Sequence, residues 1–118
     1  MTSTTTAQRL LELYQTEWCP ASRRVRQRLT ELDVTYVARQ VPVEREERVE
    51  LLDRTGSDSI PALVCEDGGT LVGEIAILSY LDERFPEPDG AEAHRLKAIK
   101  ARKRELEEAA RCLEPATH

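Results

Sequence analysis

The sequence predicts an α/β domain: a four-stranded mixed sheet with helices packed on it, followed by one long additional helix. Three observations predict this. In the first half of the chain, short apolar runs alternate with segments of helical period, the pattern of a β-α-β unit with parallel strands. Glu66-Asp67-Gly68-Gly69 is a tight-turn signal between two further short strands, and a tight turn makes that pair antiparallel. From about Gly90 onward, apolar residues recur in steps of three and four with no strand signal.

Each element follows from its own residues. The run Leu10-Leu11-Glu12-Leu13-Tyr14 is apolar, short and bounded by polar residues, and reads as the first strand. Trp18-Cys19-Pro20-Ala21-Ser22 comes next. Proline suits a first helical position because its missing N–H would be unpaired there in any case. Cys19 therefore falls at or beside the N-cap. Val25, Leu29 and Leu32 form one apolar stripe on this helix. Val34 to Ala38 is rich in β-branched and aromatic residues and reads as the second strand. Beyond Pro42, Glu44 to Arg54 is expected as the second helix, with Val49 and Leu52 facing inward and Glu44/Arg48 and Glu50/Arg54 as i,i+4 pairs. Gly56 suits the left-handed position past its end. Ile60 to Cys65 reads as the third strand, opening at Pro61, and Thr70 to Val72 as the fourth. Glu74 to Phe85 is the third helix, with Ile75, Leu78 and Leu81 inward, and Pro86 and Pro88 stop it. In the last helix, Leu96, Ile99, Lys103, Leu106, Ala110 and Leu113 form a heptad-like seam interrupted by one lysine. The Thr/Ser-rich residues 1–8 are expected to fray. The organisation is then 1–8 as a loose N-terminus, 9–88 as the α/β domain and 89–118 as a helical extension.

Composition narrows the function classes. A chain of 118 residues fits one domain with a core that needs no disulfide staples. Hydrophobic residues at 40% and charged residues at 33% exclude a disordered tail. No apolar run reaches the roughly 18 residues of a membrane span, and the first ten residues lack the apolar stretch of a secretory signal. With 22 acidic against 17 basic residues, the net charge of -5 argues against nucleic-acid binding, which rests on neutralising phosphates. Cys19, Cys65 and Cys112 are odd in number and widely spaced, so neither a disulfide framework nor a zinc site is expected. A reduced, cytoplasmic thiol protein fits best. His94 and His118 have no partners at metal spacing, and no metal centre is expected. His94 reads as a solvated helix residue, Cys65 as an inert core thiol and Cys112 as an exposed one.

The chemistry concentrates at Cys19. A thiol is a nucleophile as its thiolate, and free cysteine has a pKa of about 8.5. At the head of a helix, unpaired N–H groups and the macrodipole favour an anion. Arg23, Arg24, Arg26 and Arg28 follow closely and are expected to add to that effect. Ser22 occupies the slot that holds the resolving thiol of a Cys-x-x-Cys pair. A mixed disulfide on Cys19 must then be resolved by an external thiol or another cysteine. The Ser22 hydroxyl is placed to hydrogen-bond the thiolate. The plainer readings are a half-buried loop cysteine acting as a small apolar side chain and a polar first-turn serine.

Three blocks carry a family resemblance: Trp18-Cys19-Pro20-Ala21-Ser22, Ser59-Ile60-Pro61-Ala62-Leu63, and Glu74-Ile75-Ala76-Ile77-Leu78-Ser79-Tyr80-Leu81-Asp82-Glu83-Arg84-Phe85-Pro86. In order and spacing, over about residues 9–88, they resemble glutaredoxins and the N-terminal domain of glutathione S-transferases. The third block is typical of the transferase branch, while Cys-Pro-x-Ser is closer to monothiol glutaredoxins and cysteine-type transferases. The resemblance implies a thioredoxin-like fold (βαβ-ββα) with a cis peptide before Pro61. It implies a glutathione site in which the Ile60 backbone pairs with the cysteinyl backbone of the ligand, bordered by Trp18, Pro20 and Pro61. The head of the third helix would receive the γ-glutamyl carboxylate. Family members use an acid–serine pair there; here Gly73 stands in the acid's slot and Glu74 in the serine's or, with the alignment slipped by one residue, Glu74 is itself the acid and Ile75 lacks the serine hydroxyl.

The implied function is a monothiol glutaredoxin-like oxidoreductase. Cys19 and Ser22 would act on mixed disulfides of a low-molecular-weight thiol such as glutathione, the co-substrate. The alternative is a non-catalytic binding or partner-docking module. A cluster-bridged pair of copies is disfavoured because Pro20 replaces the glycine such a loop needs. The implied partners are the small thiol and protein mixed disulfides, with no nucleic acid and no membrane. The roughly 30 residues after Pro88 provide one helix where full transferases carry a helical second domain. That helix is expected to dock on its own domain or to form a homodimer through the Leu96–Leu113 seam, with Lys103 counting against the dimer.

Overall fold

Strand β1 (Leu11–Gln15) is the centre of the fold, and its side chains point alternately into two cores. The computed structural model describes residues 9–113; the N-terminal segment 1–8 and His118 lie outside the described residues. The elements in order are β1, α1 (Pro20–Glu31), β2 (Tyr36–Gln40), a 3₁₀ turn (Arg45–Glu47), α2 (Val49–Thr55), β3 (Ala62–Val64), β4 (Thr70–Val72), α3 (Glu74–Arg84) and α4 (Ala91–Leu113). The sheet order is β2-β1-β3-β4. β1 runs parallel to β2, with Leu11 opposite Tyr36, and antiparallel to β3, with Leu13 opposite Leu63. The β3–β4 pair is antiparallel. This is the mixed four-stranded, thioredoxin-like α/β plan with a long C-terminal helix.

The main core lies between the sheet and helices α1 and α3, and joins Leu11, Leu13, Val25, Leu29, Leu63, Ile77 and Leu81. On the opposite face, Tyr14, Ala62 and Val64 pack against Leu51 of α2. Burying each such Leu, Ile or Val side chain stabilises the fold by about 1.5–3 kcal/mol. The α1 stripe Val25, Leu29 and Leu32 is buried as expected.

The second helix departs from expectation. The segment 44–54 is broken at Arg48, whose backbone (φ -84°, ψ 57°) leaves the helical region. Its side chain turns inward and donates to the carbonyl oxygens of Pro42 (2.7 Å), Val43 (3.1 Å) and Asp58 (2.9 Å). The buried Arg48 guanidinium thereby finds three main-chain acceptors in the loop. The Glu44/Arg48 pair is therefore replaced by these bonds. A helix of only two turns buries one residue, Leu51; Val49 and Leu52 are exposed. Glu50 and Arg54 meet at Tyr14 rather than at each other. The Tyr14 hydroxyl donates to Glu50 at 3.0 Å, and Arg54 donates to the same hydroxyl oxygen at 3.0 Å. Gly56 closes the helix in the left-handed region (φ 77°).

Helix α3 is also rotated from expectation. Ile77 and Leu81 are its buried residues, Leu78 is half-buried, and Ile75 is 83% exposed. The helix starts directly at Gly73, whose N–H donates to the Pro61 carbonyl at 2.9 Å, and this anchor sets which face turns inward. The β2 strand begins at Tyr36 rather than Val34, because the Val34 N–H caps α1 by donating to Leu29 O at 3.0 Å. The third strand is likewise shorter than 60–65, since the Cys65 N–H and carbonyl are both used in the hairpin turn.

The base of α4 is held by the buried Ala91 and an ion-pair network. Arg28 reaches Glu31 (2.8 Å), Asp82 (2.8 Å) and Glu87 (2.9 Å), while Arg95 reaches Glu87 (2.8 Å) and Glu31 (3.2 Å). Arg95 and Arg28 hold the Glu87 carboxyl down at about 2.

Replacing Ile77 by alanine is expected to cost about 2–5 kcal/mol of stability, whereas Ile75→Ala stays within roughly 0.5 kcal/mol of the parent. Urea unfolding of the two variants side by side checks this. Equal losses would contradict the observed rotation of α3.

Candidate active site

The turn from β1 into α1 places one sulfur at a helix cap. Cys19 is the N-cap of α1, with extended backbone (φ -81°, ψ 118°), and Pro20 is the first helical residue. The Cys19 N–H donates back to Thr16 O at 3.4 Å, and its carbonyl accepts the first helical bond from Arg23 at 3.0 Å. The Ser22 backbone N–H donates to Cys19 Sγ at 3.4 Å. The sulfur thus occupies the position of a capping oxygen, and the residue is half-buried.

The electrostatics favour the anion. Burial pushes the Cys19 thiol up. The Ser22 hydroxyl, the Ser22 and Ala21 amides and the Arg24 guanidinium outweigh it, so the net shift is downward. The Ser22 hydroxyl is fully buried and makes no hydrogen bond of normal geometry among the described residues. Its effect falls on the neighbouring Cys19 sulfur, whose thiol it helps to lower. Cys65 behaves oppositely: burial pushes its thiol up, against a hydrogen bond with Tyr80.

Of the four arginines expected to assist, Arg24 is the one that acts on the sulfur. Arg23 turns to Glu105 (3.7 Å), Arg26 bonds the Gln15 side chain and Thr16 O, and Arg28 serves the α4 network. Arg24 also makes a two-pronged contact with Glu74 of α3, at 2.5 and 2.7 Å. That contact draws the Glu74 carboxyl below the usual range.

A groove of about 360 Å³ opens beside Cys19, lined by Trp18, Val43, Arg45, Ser59 and Ile60. Arg45 is held to its rim by Asp58 (2.6 Å) and the Ser59 hydroxyl (2.9 Å). The Ile60–Pro61 peptide is cis, and Pro61 is buried behind Ile60. Gly73 caps α3 without a side-chain bond and adopts φ 95°, a conformation that favours glycine. Trp18, Cys19 and Ile60 therefore share one groove. Pro20 and Ser22 support the sulfur from α1, while Gly73 and Glu74 stand at the head of α3, tied in through Pro61 and Arg24. Sequence reasoning missed Arg24's partnership with Glu74 and the roles of Val43, Arg45 and Arg48, which have no local pattern. A larger hollow, about 640 Å³, lies between α1, α3 and α4, lined by Arg23, Arg24, Leu78, Ala98 and Glu105. It lacks a nucleophile and shares only Arg24 with the surroundings of the sulfur. Among the described residues, no three His, Cys, Asp or Glu side chains are grouped to hold a metal ion. Nor is any helix among them long and apolar enough to cross a membrane.

Residues 13–89 match the family model described as the N-terminal domain of glutathione S-transferase. No curated protein matches the chain. Among solved structures, a glutathione S-transferase from Rhodospirillum rubrum F11 is 35% identical, with a TM-score of 0.58, and the match covers 67% of this chain and 35% of that one. A possible glutathione S-transferase from Rhodopseudomonas palustris is 32% identical, with a TM-score of 0.58, covering 68% of this chain and 41% of that one. A glutathione transferase homologue from Sulfitobacter, solved with bound glutathione, is 25% identical, with a TM-score of 0.59, covering 70% and 44%. The match thus spans less than half of each of these proteins.

Alkylation of Cys19 followed against pH should show a midpoint below the ordinary thiol value of about 8.5, and Ser22→Ala or Arg24→Gln should each move it upward. Because the folded-state pKa is the lowered one, the thiolate's contribution to stability is complete above the ordinary thiol value. It disappears as pH falls through the folded value. A midpoint insensitive to both substitutions would contradict the assigned electrostatics.

Proposed function

The chain belongs to the glutathione S-transferase N-terminal domain family, and on that premise we propose that it is a monothiol, glutaredoxin-like thiol–disulfide oxidoreductase. The observation that carries the reading is the Cys19 sulfur at the α1 N-cap, taking the Ser22 N–H and opening onto the Ile60 groove. Glutathione is the co-substrate, bound as the family binds it. The Ile60 backbone, before cis-Pro61, pairs with its cysteinyl part, while Trp18 and Pro20 border the thiol. The γ-glutamyl end lies toward Gly73 and Glu74. Arg24 neutralises Glu74, so the first-turn amides of α3 receive the ligand carboxylate without a free glutamate opposing it.

The reaction balances as two exchanges. The Cys19 thiolate attacks the glutathione sulfur of a mixed disulfide, forming a Cys19–glutathione disulfide and releasing the substrate thiolate, which takes a proton from water. A second glutathione, as thiolate, attacks the glutathione sulfur of that intermediate. The products are oxidised glutathione and the regenerated Cys19 thiolate. Serine at position 22 cannot intercept the intermediate, so the second thiol must come from solution. A reducing compartment such as the cytoplasm supplies it.

A second reading, a non-catalytic partner-docking module, is favoured by one observation: Gly73 and Glu74 replace the acid–serine pair of the family.

Turnover of a glutathionylated peptide by the full chain is expected, falling to the uncatalysed rate in Cys19→Ser and by about tenfold at neutral pH in Ser22→Ala, as loss of a hydrogen bond to a charged group implies. Coupled assay of oxidised glutathione measures it. Glutathione binding without turnover would favour the docking module, and absence of both would end the oxidoreductase reading.

A further inference from the structure

We propose that Arg26 is the positioning residue of Cys19, a role that rests on the reading of that sulfur as the reacting group. Leu11, Leu13 and Gln15 point to the same face of β1, and Gln15 is fully buried where the alternation calls for a third apolar side chain. A buried amide is costly unless it is hydrogen-bonded. Its side-chain oxygen accepts from the Arg26 guanidinium, which reaches it from the second turn of α1. The same guanidinium donates to the Thr16 carbonyl at 3.1 Å and pairs with the Glu17 carboxylate at 3.5 Å. One planar cation thus gathers three consecutive residues. They are the end of β1 and the start of the turn that presents Trp18 and Cys19.

The Thr16 carbonyl is where this clamp meets the cysteine. That oxygen also accepts the Cys19 N–H at 3.4 Å, beyond the usual length of such a bond. A carbonyl has two lone pairs, so both donors fit on it. The bond from the charged donor is the shorter and the stronger of the two. Arg26 therefore fixes where the oxygen lies, and the oxygen fixes where Cys19 enters the helix. The turn is fastened to α1 at two places, at Cys19 itself and at Arg26, two helical turns further on. Within that closed span the Ser22 N–H meets Sγ at 3.4 Å. Arg26 makes no hydrogen bond to the sulfur. Among the charged groups, Arg24 bears on that atom and Arg45 and Arg48 line its groove, whereas the neighbours of Arg26 are Glu17 and Tyr36 of β2. Arg26 acts by geometry, through Thr16.

Alkylation of Cys19 against pH in the full chain reads the thiol without any turnover. Arg26→Met and Arg26→Lys are each expected to raise the midpoint by about one unit, which is about tenfold less thiolate at any pH below both midpoints. Lysine fails because one compact ammonium cannot serve three acceptors at once. It keeps the charge and most of the stem, so it carries the test should the methionine variant not fold. Arg23→Gln removes a charge one turn from the cap, where Arg23 faces Glu105, and leaves the clamp whole; its midpoint is expected to stay at the wild-type value. A wild-type midpoint in either folded Arg26 variant, or an equal rise in Arg23→Gln, would overturn the proposal. Turnover of a glutathionylated peptide is measured beside it. Shifted midpoints with no wild-type turnover would end the oxidoreductase reading and support this role, while unshifted midpoints with normal wild-type turnover would do the reverse.

Discussion

The hydrogen bond from the Ser22 amide to the Cys19 sulfur joins fold and chemistry in one contact. A helix needs its first amides satisfied, and a side-chain oxygen usually does this. Here a sulfur takes the place of that oxygen, and it does so best when charged. The geometry that completes α1 therefore also sets the state of the thiol. Whatever shifts the first turn of α1, from the packing of Val25 to the Thr16 carbonyl, is felt at the sulfur. Conversely, capping the sulfur in a mixed disulfide removes the charge the helix end favours. The reduced form is then the better-stabilised one, which makes such a disulfide prone to release.

Much of this was readable from residues close together in the chain. The four strands, the α1 stripe, the Asp67–Gly69 turn and the placing of Cys19 by Pro20 all follow from short-range pattern. The inner faces of α2 and α3 did not. In α2 the reason is Arg48, whose three carbonyl contacts interrupt the helix and shift burial from Val49 and Leu52 to Leu51. In α3 it is the Gly73–Pro61 bond, a contact set by the sheet. At the site, Cys19, Ser22 and the Ile60–Pro61 pair were legible as motifs. The Arg24–Glu74 pair was not, since its members stand fifty residues apart and carry no signal until the helices are packed.

That pair also changes how the head of α3 is to be understood. A lone glutamate at the head of a helix proposed to receive a carboxylate looks like an obstacle. With a guanidinium laid across both oxygens, it becomes a neutral unit that braces α1 against α3 and leaves Arg24 near enough to bear on the sulfur. A charge that seems misplaced along the chain is answered from another helix.

Arg48 carries one more consequence. The loop before Ile60 is secured from inside by a flat, forked cation that satisfies three main-chain oxygens at once, much as a short strand would. Lysine brings a single compact ammonium and cannot span that triangle. The rim of the groove thus depends on the shape of a side chain rather than on its charge alone. An exchange that looks conservative on paper would unpick the loop that presents the Ile60 backbone to the groove.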